Sequence, residues 1–450
     1  MSIRDLLRGR RLGFAIAAVA CAAVACAATA GPLRAQELTD SITVSYELDG
    51  LRILHRRTNA RVFAANLYLL GGSRQITPAN AGIEPLLLLA SEYGTVDYPG
   101  AETRRATART GSSIDVSTGS DWTTYAMSGV REDFDSTWAV FTSRLLRPAL
   151  DSVAVGLVRK KMLAAVRRQR SSPDVQAMVL AESLAYAGHP YAVDPSGNEA
   201  SLTALTESDL RRYAASQFVK SRMLLVVVGD IPKEKLDRLV TQSIGTLPTG
   251  DYKWTMPPPI RATAPAIAAA HRPSATNYIV GYIHGPQISS PEYPAFEYAM
   301  MILNELVSSV IREREGLSYA ANVPTMERGV SGAAIFVSTT RPDTVVKLVN
   351  YIFDAYEDDV RISGGALRRA AEGFRTSYLF GMETADSHAD MLARAQLYQG
   401  DYRAAGTRAD VMAKVRFPEI RKIIKTYGTN IQYAFVGDTT RMPRTAMLKR

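Results

Sequence analysis

The segment 312–319 carries two side chains that could hold a carbonyl group and stabilise an oxyanion. It reads Arg-Glu-Arg-Glu-Gly-Leu-Ser-Tyr, with Arg312 at its start and Tyr319 at its end. A guanidinium binds a carbonyl or carboxylate through two hydrogen bonds, and a phenol hydroxyl can donate to a tetrahedral oxyanion. The structural alternative is a charged helix end terminated by Gly316, with Tyr319 starting a strand. Local sequence alone favours that alternative.

The His and Cys residues of the chain do not form a recognisable metal-binding motif. The chain has five His and two Cys, and no His has a His or Cys partner at the spacing of metal ligands. His189 lies between Gly188 and Pro190, which is typical of a loop. Both cysteines, Cys21 and Cys26, fall in the N-terminal segment. The sequence therefore shows no zinc site built from these residues.

The segment 82–95 shows the frame of a metal-binding helix without its ligands. It reads Gly-Ile-Glu-Pro-Leu-Leu-Leu-Leu-Ala-Ser-Glu-Tyr-Gly-Thr and resembles the G-L-x-H-x-x-E-H-x-x-x-x-G-T pattern of the pitrilysin/insulinase zinc peptidases (inverzincins). In that pattern two His bind zinc and the Glu activates a water molecule. Here the His positions hold Pro85 and Leu89, the Glu position holds Leu88, and the third ligand of the family falls at Ala165. The resemblance implies a degenerate, non-catalytic member, because none of these side chains coordinates a cation or moves a proton.

Two further segments carry the resemblance. Residues 110–118 are similar to the family's G-x-x-x-N-A-x-T strand, with Asp115 and Val116 at the usual Asn and Ala positions. By this match the candidate substrate-binding residues are Ile114, Asp115, Val116 and Ser117. Residues 312–319 resemble the family's L-R-E-x-x-G-L-x-Y element, whose Arg and Tyr contact the substrate, and this implies those roles for Arg312 and Tyr319. The Gly-rich loop that usually precedes this element is missing, since residues 303–310 contain no glycine.

The sequence repeats one arrangement of elements. A strand pattern at 62–70 runs into Gly71, and a similar pattern at 277–284 runs into Gly285; a helix followed by a strand leads to Gly229 and again to Gly437. We therefore predict a duplicated domain of about 200 residues. The Pro-rich segment 247–266 has neither helical nor strand periodicity and is interpreted as a linker.

These patterns predict an α+β protein. Amphipathic runs near 133–147, 151–170, 174–187 and 205–217 indicate helices on one face of a mixed or antiparallel sheet in each half. The resemblance implies two homologous α/β-roll domains. We assign residues 1–35 to a signal peptide, 36–246 to the first domain and 267–450 to the second.

The first residues are typical of a bacterial export signal. Four Arg between positions 4 and 11 precede an Ala-rich apolar run from Gly13 to Ala30, with cleavage expected after Ala30 or Ala35. A retained membrane anchor and lipidation at Cys21 or Cys26 are alternatives. Cleavage after Ala35 removes five Arg and one Asp and lowers the formal charge from +9 to +5. This small excess does not indicate nucleic-acid binding. We expect a periplasmic or exported protein, with association with the membrane as an open alternative.

The leading hypothesis is a non-catalytic subunit of a heterodimeric zinc endopeptidase. The resemblance implies that a homologous partner subunit holds the zinc, that this chain holds no metal or other cofactor, and that unfolded peptide segments are bound. Arg312 and Tyr319 would then assist the partner's active site. The alternatives are an inactive homologue acting as a scaffold or peptide-binding protein, and a lone peptidase with an unusual metal site.

Overall fold

The computed structural model describes residues 43–358 and 364–450. The predicted signal peptide, residues 1–35, lies outside these ranges. In the first half the strands are β1 Thr43–Leu48, β2 Leu51–Arg57, β3 Val62–Leu70, β4 Ser113–Thr118, β5 Trp122–Val130 and β6 Met223–Gly229. The helices of this half are α1 Ile83–Ala90, α2 Glu102–Thr110, α3 Phe134–Leu146, α4 Ser152–Ser171, α5 Pro173–Ala185, α6 Glu199–Ala204, α7 Glu207–Gln217 and α8 Lys233–Gln242.

The second half also alternates strands and helices. Its strands are β7 Ala266–His271, β8 Asn277–Gln287, β9 Ala321–Asn322, β10 Thr325–Met326, β11 Val330–Thr339 and β12 Gln432–Gly437. Its helices are α9 Tyr293–Val307, α10 Pro342–Asp358, α11 Gly364–Phe380, α12 Ala385–Gln399, α13 Ala404–Ala413, α14 Phe417–Tyr427 and α15 Arg444–Met447. No helix within the described ranges is long and apolar enough to cross a bilayer.

The two sheets share the order of five strands, and β1 of the first sheet has no counterpart among the described strands of the second. The first has the order β1-β2-β6-β3-β5-β4, and the second has the order β7-β12-β8-β11-β10, with β9 also paired to β11. The pairs β2/β6 and β7/β12 are parallel, whereas β3/β6 and β8/β12 are antiparallel. The expectation of two α+β domains with mixed sheets is therefore confirmed, and the shared strand order supports duplication.

Two glycines close equivalent strands. Gly229 ends β6 with φ 151°, and Gly437 ends β12 with φ 155°. A Cβ atom at Gly229 would lie 2.8 Å from Cβ of Phe63, and one at Gly437 would lie 2.4 Å from the side-chain oxygen of Asn277. Both positions combine an unusual φ with close approach of a neighbouring strand, so only glycine fits without strain.

The strand predicted at 277–284 does not end in a turn at Gly285, as the comparison with Gly71 had indicated. Gly71 does follow the end of β3, with φ 113°, but β8 continues past Gly285 to Gln287. A Cβ atom at Gly285 would lie 2.3 Å from Oγ of Ser331 and 2.8 Å from the ring of Phe296. Glycine is needed there because the strand packs closely against its neighbours, and a sequence pattern does not separate that reason from a turn.

Each sheet is covered on one face by its own helices and on the other by a helix from the opposite half. The helix α5 packs on β8 and β12 through Ala177 and Ala181, and α12 packs on β3 and β6 through residues that include Leu392. The strand residues beneath α12 include Leu54, Leu224 and Val226, all buried. The amphipathic patterns predict helices on one face of each sheet, but they do not predict this reciprocal exchange of helices on the other face.

A buried carboxylate joins the halves at one point. Asp121, directly before β5, accepts hydrogen bonds from the hydroxyls of Tyr191 and Tyr398 at 2.7 and 2.9 Å, and from the backbone N–H of Gly329 at 2.7 Å. The side chain of Arg328 lies against the rings of Tyr186 and Tyr191. Segments distant in sequence therefore share one hydrogen-bonded centre.

The residues 247–265 contain no helix or strand. They nevertheless pack against both halves: the indole N–H of Trp254 donates to the carbonyl of Leu397 at 2.7 Å, and the carbonyl of Pro258 lies 2.9 Å from the Nε2 atom of His189. His189 thus occupies a buried loop position, in agreement with the interpretation from sequence.

Candidate functional site

The helix α1 forms because its sequence supplies a permitted start and a continuous apolar surface. Gly82 adopts the left-handed conformation before the helix, with φ 87°, and Pro85 falls in the first turn, where no helical N–H is required. Leu86, Leu87 and Leu88 are 0% exposed. The helix is therefore buried along most of its length.

The four positions that correspond to metal-binding and catalytic residues contain no donor. Pro85 and Leu88 are buried, while Leu89 and Ala165 are half-buried on the packed helices α1 and α4. Zinc in proteins is bound by thiolate, imidazole or carboxylate groups. Within residues 43–358 and 364–450, no group of three or more His, Cys, Asp or Glu is arranged to hold a metal ion. The residues at this site therefore do not fit zinc.

A buried ion pair supports the same helix from the side. Glu84 lies 2.8 Å from the guanidinium of Arg222, and their side chains are 5% and 1% exposed. The hydroxyl of Tyr213 donates to Glu84 at 2.9 Å, and Arg222 also donates to the carbonyl of Leu70 at 2.7 Å. Burial, together with the neighbouring carboxylate, raises the pKa of Tyr213. This pair was not predicted from the sequence, although a lone acidic residue in an apolar helix, Glu84, was an available signal.

A second buried cation lies at the other end of α1. Arg144, on α3, donates to Oγ of Ser91 at 3.3 Å, to the carbonyl of Leu88 at 3.4 Å and to the carbonyl of Ile114 at 3.5 Å. In the part of the chain that the structure describes, no carboxylate lies within ion-pairing distance of it. Its charge is placed against the carbonyl end of α1, where the helix dipole favours a cation. The guanidinium thereby connects α1 with β4.

The strand β4 forms the outer edge of the first sheet. It pairs only with β5 among the described residues, in a register that sets Ile114 opposite Met127 and Val116 opposite Tyr125. Ile114 and Val116 pack on the core, whereas Asp115 and Ser117 are exposed. The backbone groups on its free side are available to an extended peptide. The substrate-binding role of Ile114, Asp115, Val116 and Ser117 stays a prediction.

The structure places Arg312 in a π-helical continuation of α9, Ser308–Arg314. Its guanidinium lies 3.2 Å from Glu313, and its side chain is half-exposed. Gly316 follows with φ 60° and ends the helix, as the structural alternative expected. Tyr319 precedes β9 rather than starting a strand, and it is 99% exposed. The catalytic role of Arg312 and Tyr319 also stays a prediction.

Two family profiles match the chain. The profile described as insulinase (peptidase family M16) matches residues 52–192, and the profile described as peptidase M16 inactive domain matches residues 204–358. The chain belongs to this family. The resemblance inferred from the segment 82–95 is therefore confirmed, and the chain is a degenerate member because its metal-binding positions lack donors.

A curated relative and several solved structures share this frame. An uncharacterised zinc protease from Mycobacterium leprae is 22% identical over 277 residues, which cover 58% of this chain and 61% of that protein. The chain thus spans about three fifths of the length of this relative. A peptidase M16 inactive domain from Pseudomonas fluorescens has a TM-score of 0.81 at 16% identity, covering 89% of this chain and 99% of that one.

Two other solved structures have the same fold. A protease from Helicobacter pylori gives a TM-score of 0.78 at 16% identity, and a conserved protein from Enterococcus faecalis gives 0.76 at 13% identity. Each match covers 88% of this chain and 99% of the other. At these identities the similarity establishes the fold of the family and its two-domain arrangement.

Proposed function

We propose that this chain is the non-catalytic subunit of a zinc endopeptidase whose metal is held by a homologous partner subunit. One contrast carries the proposal. The metal-binding positions are filled by apolar side chains, whereas Tyr319 is 99% exposed and Arg312 is half-exposed. A fully exposed tyrosine contributes little to its own fold, so its position is explained better by a contact outside the chain.

The two side chains supply complementary chemistry to a substrate. The guanidinium of Arg312 can hold a peptide carbonyl or carboxylate, and the hydroxyl of Tyr319 can donate to an oxyanion. Glu313, the ion-pair partner of Arg312, is more than half exposed. Breaking this pair costs little free energy, because surface ion pairs are weak.

The proposal also includes export of the chain to the periplasm. Its support is the sequence of residues 1–35, which is typical of an export signal.

A second candidate is an inactive homologue that binds peptides or acts as a scaffold. The specific observation in its favour is the open edge of β4, whose inward residues pack on the core while Asp115 and Ser117 remain exposed. An extended peptide can add to such an edge through backbone hydrogen bonds. This activity requires neither Arg312 nor a zinc-bearing partner.

The decisive experiment compares Arg312→Ala and Tyr319→Phe in complex with the co-purified zinc-bearing subunit. Loss of an oxyanion donor typically lowers turnover by about a hundredfold or more. Arg314→Ala is the matched control, because Arg314 lies on the same helical segment, is similarly exposed and pairs with the adjacent Glu315. Cleavage rate and complex mass are measured on the same sample. Full activity from both variants would leave the peptide-binding candidate.

Metal content gives an independent test. The isolated chain is expected to contain no stoichiometric zinc and to cleave no unfolded peptide, because Pro85, Leu88, Leu89 and Ala165 offer no ligand. Elemental analysis after dialysis measures the metal, and a chelator tests any residual proteolysis. One tightly bound zinc per chain with chelator-sensitive cleavage would overturn the proposal.

A further inference from the structure

The helix α4 has an unusual charge composition. Six of its residues are Lys or Arg and none is Asp or Glu. Such a helix has no internal ion pairs to neutralise it, and its cations must find partners elsewhere or remain free. The basic positions are Arg159, Lys160, Lys161, Arg167, Arg168 and Arg170.

Some of these cations are already engaged. Arg167 and Arg170 each lie 2.8 Å from Glu199, and Arg159 donates to the carbonyl of Leu205 at 2.6 Å. By contrast, the side chains of Lys160 and Arg168 have no ion pair or hydrogen bond within residues 43–358 and 364–450. Both are exposed. The helix therefore retains free positive charge at its surface.

The exposed side of α4 changes character along its length. Val153, Leu157, Lys161, Ala164 and Arg168 follow one another at spacings of three or four residues and lie on one face, which we call the α4 stripe. Val153 is 79% exposed and Leu157 is 41% exposed. The opposite side of the helix is buried and packs on α1. The stripe is therefore apolar in its first half and cationic in its second.

The cationic part of the stripe borders the former metal position. Ala165, which stands at the third-ligand position, has Lys161 one turn before it and Arg168 one turn after it. Lys161 donates to the hydroxyl of Tyr93 at 2.5 Å, and Arg104 lies 4.5 Å from the same ring. Two cations, Lys161 and Arg168, thus lie one helical turn from Ala165, where they would repel a metal ion and attract a carboxylate.

We propose that the α4 stripe binds an acidic polypeptide segment. Carboxylates of the segment pair with Lys161 and Arg168, with Lys160 beside them, and an apolar side chain covers Val153 and Leu157. Charge complementarity selects the occupant, and the exposed apolar residues favour a polypeptide over a nucleic acid. The inference goes beyond the proposed function, since binding here needs neither the partner's zinc nor Arg312 and Tyr319.

The test measures binding of a fluorescein-labelled peptide of alternating Glu and Leu to the full chain by anisotropy at low ionic strength. Lys161→Glu combined with Arg168→Glu is expected to weaken binding by about tenfold or more, because two attractions become repulsions. Arg238→Glu with Lys425→Glu is the matched control: both residues are exposed, and the change in net charge is the same. The control is expected to bind within about twofold of the unmodified chain, and added salt is expected to weaken binding.

Three results would overturn the inference. The first is no binding of the acidic peptide, or equal binding of a Lys and Leu counterpart. The second is an equal loss of affinity in the control variant, which would show that binding depends on the net charge of the chain and not on the α4 stripe. The third is displacement of the peptide by a single-stranded oligonucleotide at equal phosphate concentration, which would indicate a general polyanion surface. Circular dichroism verifies folding, and Lys160→Gln with Arg168→Gln provides a second variant that leaves the Tyr93 contact intact.

Discussion

The two halves of the chain share a strand order and differ in what they leave exposed. The first sheet ends in the regular strand β4, whereas the second ends in the two-residue strands β9 and β10. The helix that follows the third strand of the first half, α1, is short and almost entirely buried. Its counterpart α9 is longer and continues into the exposed segment that carries Arg312. The two halves thus share their strand order. The open strand edge is in the first half, at β4, and the exposed polar segment with Arg312 is in the second.

Restoring the metal-binding residues is expected to have the largest effect. Pro85→His, Leu88→Glu and Leu89→His together place an unpaired carboxylate at a position that is 0% exposed. We expect the free energy of unfolding to fall by about 5 kcal/mol or more, measured by urea denaturation. Leu89→His alone is the control, because this residue is half-buried, and is expected to lose about 1–2 kcal/mol. An unchanged free energy of unfolding for the triple variant would show that the first half is not packed as described.

The buried ion pair of the first half gives the next effect. Arg222→Met leaves Glu84 buried without its cation, and breaking such a pair typically costs about 3–5 kcal/mol. Combining it with Glu84→Gln removes the stranded charge and is expected to recover much of the loss. Chemical denaturation of the single and double variants measures the coupling between the two residues. Additive losses would mean that the pair does not stabilise α1 as a unit.

Acid is expected to weaken both interfaces formed by the exchanged helices. His388, on α12, is half-buried close to Arg56. Desolvation, followed by repulsion from the Arg56 guanidinium, lowers the pKa of His388 to about 4. The unfolded chain takes up this proton near pH 6.5, so the contribution is intact above that pH and is lost as the pH falls towards 4. Burial also lowers the pKa of His284, which contacts the carbonyl of Ala185 at the end of α5.

The measurement is the difference in unfolding free energy between pH 7 and pH 5. For His388→Gln we expect this difference to shrink by roughly 1–2 kcal/mol after allowance for partial exposure. His271→Gln serves as the control, because His271 is exposed. The same acid sensitivity in the His388 variant and the unmodified chain would show that this interface does not titrate.

The smallest effect on stability is expected at Tyr319, the exposed tyrosine of the second half. Tyr319→Ala is expected to change the unfolding free energy by less than about 0.5 kcal/mol, because the side chain is 99% exposed. A thermal melt measures this, with Tyr433→Ala as a contrasting variant at a buried position. A large loss for Tyr319→Ala would assign this residue to the fold and remove the basis for its role outside the chain.

The ends of several helices and strands could be predicted from the sequence, because glycine and proline act on the backbone at their own positions. The glycines at 229 and 437 mark strand ends, and the start of α1 follows from Gly82 and Pro85. The exchange of α5 and α12 was not predictable, since an apolar helix face indicates burial but does not say which sheet covers it. Glu84 and Arg222 are distant in sequence, so neither residue identifies the other as its partner.

The exchanged helix α12 also constrains the order in which this chain can fold during synthesis. The face of the first sheet that contains Leu54, Leu224 and Val226 is covered only when residues 385–399 have been made. Until then, a nascent chain that has completed all strands of that sheet exposes an apolar surface. Folding therefore cannot finish one half at a time. A fragment that ends at the Pro-rich connection is expected to aggregate or to require a chaperone.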